Sequence, residues 1–147
     1  MTGAGNGIGR AEALALASLG AAVTVQDIRQ EFAEETTDKI VSVGGQASTL
    51  VCDVADLDTM IEAINEIEQD GRGVDILVNN AGMGGGQVLE DVSRDHFDQM
   101  IAVNMRAPFF LAQAVVPGMK RRKWGRIINI SSVVGVKGWP DKSHYVG

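Results

Sequence analysis

Cysteine is almost absent from this chain: Cys52 stands alone among 147 residues. That excludes a disulfide framework and a thiolate metal cluster. Cys52 lies in the run Ser48 to Cys52, which reads as a buried strand, so its expected role is that of a small core hydrophobe. Excess positive charge is also lacking. The net charge is −6 and the sequence pI near 4.8, whereas nucleic-acid backbones demand clustered Lys and Arg. The one basic cluster, Lys120 to Lys123, follows a helical pattern and reads as a solvated helix end that complements the C-terminal dipole. No long apolar run is evident: the stretch from Ala107 to Met119 is broken by Gln113, Pro108 and Pro117, short of the roughly 18 residues of a membrane span. The N-terminus is glycine-rich rather than basic and then apolar, unlike a signal peptide. His96 and His144 are lone histidines without ligand spacing, so no metal is expected. Internal repeats, low-complexity tracts and interdomain linkers are missing too. These absences leave one soluble cytoplasmic domain over residues 1–147.

What is present is an alternation of helical and strand-like patterns. Hydrophobic residues make up 45% and charged residues 22%, enough for a packed core. Gly7 to Leu19 reads as a helix with Ile8, Ala11, Ala15 and Leu19 near one face and Gly20 at its stop. Ala22 to Asp27 is β-rich, Gln30 to Val43 helical, and Ala47 to Asp53 the next strand. Leu57 to Glu68 is a helix capped by Asp56. Val74 to Asn79 is short and apolar. Ser93 caps a long helix to about Lys120, and Arg126 to Ser131 is a further strand. Apolar strands separated by helices predict an α/β fold, a doubly wound parallel sheet with helices on both faces. In such folds a glycine loop follows a strand, yet only Met1 precedes Thr2. The sheet is therefore expected to be incomplete at its centre, between the strands Ala22–Asp27 and Val74–Asn79.

The segment Thr2 to Gly9 reads TGAGNGIG. Gly3 permits a tight turn, Gly7 lets backbone approach a pyrophosphate, and Gly9 allows close packing of the following helix. Asn6 and Ile8 complete the loop. The helix N-terminus offers free N–H groups and a positive dipole. Asp27, 18 residues after Gly9 and at the end of the next strand, stands where a carboxylate accepts hydrogen bonds from an adenosine ribose. It would repel a 2′-phosphate, and Asn6 supplies no cation for one. NAD is thus expected over NADP. Arg10 and Arg29 are expected to face solvent, although either could reach a phosphate.

Together these residues resemble the short-chain dehydrogenase/reductase family, whose fold is Rossmann-like. The loop Thr2 to Gly9 is similar to its cofactor loop. Asp53-Val54 resembles its adenine-contacting pair, and Asn79-Asn80-Ala81-Gly82 matches its NNAG turn. Asn104 stands where that family has a helix asparagine. Ser132 and Tyr145 share its serine-to-tyrosine spacing of 13. The resemblance runs through the whole chain, with two departures. The first strand is missing, and the lysine expected four residues after Tyr145 would fall beyond Gly147.

The resemblance implies an alcohol–carbonyl oxidoreductase acting on a small molecule, as a homo-oligomer. Tyr145 would be the general acid/base, Ser132 would hold the substrate oxygen, and Asn104 would support a proton-relay water. Asn80, Ala81 and Gly82 would line the adenosine side or simply stabilise a turn. A phenol titrates near 10, so working at neutral pH takes about 4 kcal/mol of help from neighbouring charge. Independently, Pro108 cannot donate to the carbonyl four residues back, that of Asn104, which predicts a kink there. Two alternatives stay open: a non-catalytic nucleotide-binding piece, and an NADP-dependent reductase on the same fold.

Overall fold

The computed structural model describes residues 1–71 and 73–146, with the backbone alone at Val146. Four strands form two parallel pairs. β1 (Ala22–Asp27) pairs with β2 (Gln46–Val51) in the register Ala22 to Gln46. β3 (Ile76–Asn79) pairs with β4 (Arg126–Asn129), Ile76 against Arg126. The expected single sheet is thus divided: among the described residues no strand lies between β1 and β3. Met1 to Ala4 spans the gap as a short stub. Met1 N donates to the Thr24 carbonyl, Gln26 N to Met1 O and Ala4 N to Gln26 O, while Thr2 N donates to the Val78 carbonyl on the other side. Beyond this stub a slot of about 760 Å³ separates β1 from β3, lined by Val23, Ile64, Leu77 and Trp124 among others.

The helices follow local rules. α1 (Gly7–Ser18) is capped by Asn6, whose Oδ1 accepts from Gly7 N. α2 (Gln30–Ser42) starts at Arg29 without a side-chain cap. α3 (Leu57–Gln69) is capped by Asp56 through Thr59 N. α4 (Arg94–Ile101) is capped by Ser93 through His96 N. Such caps satisfy amides that have no intrahelical acceptor, worth about 1 kcal/mol each. Element bounds fall within two residues of those expected, some unchanged, some shorter and some longer, and β2 and β4 stop short of Asp53 and Ser131.

α4 does not end at Ile101. It widens into a π turn at Ala102–Arg106, in which Ala107 N reaches back five residues to Ala102 O, and continues as α5 (Ala107–Arg122). Pro108 explains the change: lacking an N–H for the carbonyl four residues back, it makes a regular turn unfavourable. The expected kink is therefore a widened turn. The combined helix Arg94–Arg122 is long and apolar enough to cross a membrane, with an 18-residue window of mean hydropathy 1.3. This overturns the expectation that no such stretch exists. The helix instead supplies Ala107, Leu111, Val115 and Met119 to a core shared with Val54, Met60, Ile64 and Leu77. Burying Leu111 and Val115 fully is worth about 1.5–3 kcal/mol each. A second core joins Ala13 and Ala17 of α1 to Val23, Val25, Ala33 and Ile40.

The basic helix end is more than solvated charge. Arg122 forms a bidentate pair with Glu68 at 2.8 and 3.0 Å, bonds Asp75 at 3.0 Å and caps the Val74 carbonyl at 2.8 Å. Arg121 joins Glu68 at 3.1 Å. The Arg122 guanidinium holds the Glu68 carboxyl below the usual carboxylate range. Cys52 is half-buried, its thiol pushed up by burial, and its Sγ lies 3.3 Å from Met60 Sδ.

Candidate active site

The glycine loop is held from behind by the turn that follows β3. Thr2, 2% exposed, accepts at Oγ1 from the amides of Asn80 and Ala81, at 3.1 and 3.0 Å. Asn80 Nδ2 returns bonds to the carbonyls of Thr2 and Gly3 at 3.0 and 2.9 Å. Gly3 adopts φ +58°, and a β-carbon there would come within 2.9 Å of Ala81 Cα. At Gly9 a β-carbon would run into the Gly3 carbonyl and the Asn80 amide. Its small size thus lets α1 close onto its own loop rather than onto the sheet. Asn80 serves as a brace for the loop. Gly82 and Ala81 line the neighbouring cavity.

The residues present fit a dinucleotide. α1 opens with the amides of Gly7, which Asn6 Oδ1 holds, Ile8 and Gly9, and beyond its chain neighbours and the helix's own backbone nothing lies within 4 Å of where a Gly7 β-carbon would stand. Phosphate oxygens favour such a helix start. Asp27 ends β1 beside the loop: its Oδ2 accepts from Gly5 N at 3.1 Å and its Oδ1 from Arg29 N at 3.1 Å. Arg10 does not face solvent as expected. Its Nε donates to the Gly5 carbonyl and to Thr36 Oγ1, both at 2.9 Å, and its outer nitrogens pair with Glu35. Arg29 does remain outward, stacked 4.0 Å over the Phe32 ring and paired with Glu31. Asp53 turns its Oδ1 onto Ala55 N at 2.8 Å, and Val54 is buried in the core. A bound adenine can therefore meet Val54 only through backbone.

Asn104, Ser132 and Tyr145 line one cavity of about 590 Å³, together with Asn79, Ala81, Gly82, Ile130 and His144. It lies beyond the C-terminal ends of β3 and β4, the side on which such sheets bind ligands. Ser132 comes from the loop after β4. Its Oγ accepts from Val134 N at 3.3 Å, which leaves its hydroxyl hydrogen free to donate. Ser132 thereby caps its own turn. Tyr145 sits in α7 (Ser143–Val146), after α6 (Val134–Lys137), and its amide donates to the Lys142 carbonyl. The Lys142 ammonium lies 5.6 Å from the Tyr145 ring centre.

Asn104 projects from the π turn, and its side chain does something the spacing did not suggest. Oδ1 accepts from Met83 N at 2.8 Å, and Nδ2 donates to the Met83 carbonyl at 2.7 Å. The amide thus clips the loop after β3 to the long helix. Asn79, 4% exposed, donates to Asn129 Oδ1 at 2.8 Å and ties the two strand ends together under the cavity. No sequence signal singled out either contact, because each joins segments at least 21 residues apart. Among the described residues no group of three or more His, Cys, Asp or Glu is placed to hold a metal.

Comparison with known proteins agrees with this geometry. The family model described as short chain dehydrogenase matches residues 1–147. An uncharacterized oxidoreductase of Thermotoga maritima is 40% identical over 146 residues, covering 99% of this chain and 57% of that protein. A gluconate 5-dehydrogenase of Gluconobacter oxydans is 40% identical over 133 residues, covering 90% of this chain and 52% of its own length. A crystal structure of a metagenomic short-chain oxidoreductase in complex with NADP superposes with a TM-score of 0.93 at 38% identity, covering 99% of this chain and 65% of that one. The chain spans little more than half the length of these curated relatives.

Proposed function

The chain belongs to the short chain dehydrogenase family, and from that premise we propose an NAD-dependent oxidoreductase that interconverts an alcohol and a ketone or aldehyde. The observation that carries this reading is the shared cavity of Ser132, Tyr145 and Asn104, set beside the turn that braces the glycine loop. A bound nicotinamide would supply the hydride chemistry. Gly3, Asn6, Gly7, Ile8 and Gly9 would hold its pyrophosphate side, with Asp27, Asp53, Val54, Asn80, Ala81 and Gly82 along the adenosine.

This chain's own residues carry the proton and the positioning. Ser132 donates its free hydroxyl hydrogen to the substrate oxygen and holds it beside Tyr145. The Tyr145 oxygen takes the hydroxyl proton during alcohol oxidation and returns it during carbonyl reduction. Asn104 fixes the loop that forms one wall, and its helical setting next to Pro108 supports a water relay behind the phenol. We further propose that the complete enzyme works as a homo-oligomer in the cytoplasm; for the first of these, exposed Phe97 on the long helix offers apolar surface that a subunit contact would cover.

A second reading replaces NAD by NADP. It is favoured by the relative solved with NADP and by Arg29, which lies beside Asp27 and is open to solvent. Fluorescence titration with NADH and NADPH decides between them. The proposal expects tighter NADH binding and a narrowed difference in Asp27→Ala. Tighter NADPH binding that Asp27→Ala leaves unchanged supports the second reading. Turnover is tested by supplying NAD and a panel of secondary alcohols and following the nicotinamide absorbance.

A further inference from the structure

His144 precedes Tyr145 and lines the same cavity. Neither of its ring nitrogens has a hydrogen-bond partner among the described residues, and both are buried. Its ring instead rests edge-on against His96 on α4, with centroids 5.2 Å apart and planes at 63°. His96 Nε2 is unpartnered as well, and Gly85 closes over it, a β-carbon there standing 3.6 Å from that nitrogen. Leaving buried polar atoms unpaired costs more than an edge-on ring contact returns. The His144 ring therefore gains by turning toward a partner that enters the cavity.

The chemistry of that partner follows from the inventory. A neutral imidazole has one N–H donor and one bare nitrogen acceptor. One small group reaches only one edge of the ring, so the best match is a group that can either accept from the N–H or donate to the bare nitrogen, whichever edge faces the cavity. A hydroxyl can do either; an alkyl chain offers neither, and a carboxylate only accepts. We propose that His144 is a specificity-determining residue that binds a hydroxyl group next to the reacting carbon, so that the preferred substrates are vicinal diols and hydroxy-ketones. His96 acts as a positioning residue behind it. The inference rests on the reading of the cavity as an alcohol–carbonyl site.

The probes are 1,2-propanediol and 2-propanol, which differ by one hydroxyl. The wild-type protein is expected to favour the diol by at least about tenfold in kcat/KM. In His144→Phe that ratio should fall toward one, and His144→Gln, which keeps a donor and an acceptor, should restore much of it. A diol preference that survives in His144→Phe, or no preference in the wild type, overturns the inference. Imidazole NMR separates its failure from that of the reading beneath it. With the His144 resonance assigned through His144→Gln, the diol should shift that resonance and 2-propanol should not. If neither alcohol is turned over, a diol-specific shift sustains the recognition role while the proposed reaction falls. Absence of that shift overturns the recognition role.

Discussion

Asn104 grips the backbone of Met83 with both ends of its amide, at 2.8 and 2.7 Å. A helix side chain thus completes a backbone-like pairing for the loop after β3. Replacing it with alanine leaves the Met83 N–H and carbonyl without these partners. The expected cost is about 1–3 kcal/mol, read as a lower urea midpoint at unchanged slope. Faster hydrogen exchange at the Met83 amide should accompany it. Unchanged exchange would show that the clip carries no load.

Gly9→Ala should damage cofactor binding more than stability elsewhere. The added methyl meets the Gly3 carbonyl and the Asn80 amide, so the loop must move. A tenfold loss of NADH affinity corresponds to about 1.4 kcal/mol, and at least that is expected. Gly44→Ala is the control. It places a side chain at φ +84° with nothing within 4 Å, costing backbone strain of about 1 kcal/mol and leaving NADH affinity as it was.

The Glu68–Arg122 pair makes an acid-side prediction. Arg122 lowers the folded-state pKa of Glu68 below its unfolded value. The resulting stability is fully present above the unfolded pKa of about 4.3 and is lost as pH falls through the depressed folded value. A stability–pH curve should therefore drop on the acid side of that point. Glu68→Gln should flatten the drop while lowering stability at neutral pH. A drop of equal size in the variant would assign it to other carboxylates.

The amine of Met1 predicts the opposite neighbourhood of the pH scale. Burial lowers it from 8.0 to about 6. Between those values the unfolded chain binds more protons, so stability rises as pH rises through that window. The gain is at most about 3 kcal/mol. N-acetylation should remove this slope. An apolar segment of strand-forming residues placed ahead of Met1 should remove it too, and should raise the melting temperature by filling the slot between β1 and β3. A melting temperature that stays fixed would contradict this account of the divided sheet.

Local features of this structure were legible in the sequence, and long-range ones were not. β1 spans Ala22–Asp27 as read, and Asp56 and Ser93 cap their helices, because a cap involves side chain and amide only three residues apart. The division between β1 and β3 was also readable, since a strand leading into the glycine loop is expected at that place. Pro108 disclosed a disturbed turn, but not whether the helix would bend or widen. Arg10, by contrast, looked like a surface cation. Its ties to Thr36 and Glu35 depend on α2 packing over the loop, which no spacing in α1 reveals. The same holds for Asn80 on Thr2 and Gly3, and for Arg122 on Glu68. The resemblance grouped Asn104, Ser132 and Tyr145 as parts of one site, and the π turn and the loop after β4 are what place them along one cavity.

Tyr145→Phe tests the central claim most directly. It removes one oxygen and leaves the ring. Turnover of a secondary alcohol with NAD should fall by about 10²–10⁴, while the NADH dissociation constant from fluorescence titration stays as in the unmodified protein. Turnover in Tyr145→Phe equal to that of the unmodified protein would contradict the assignment of proton transfer to this residue.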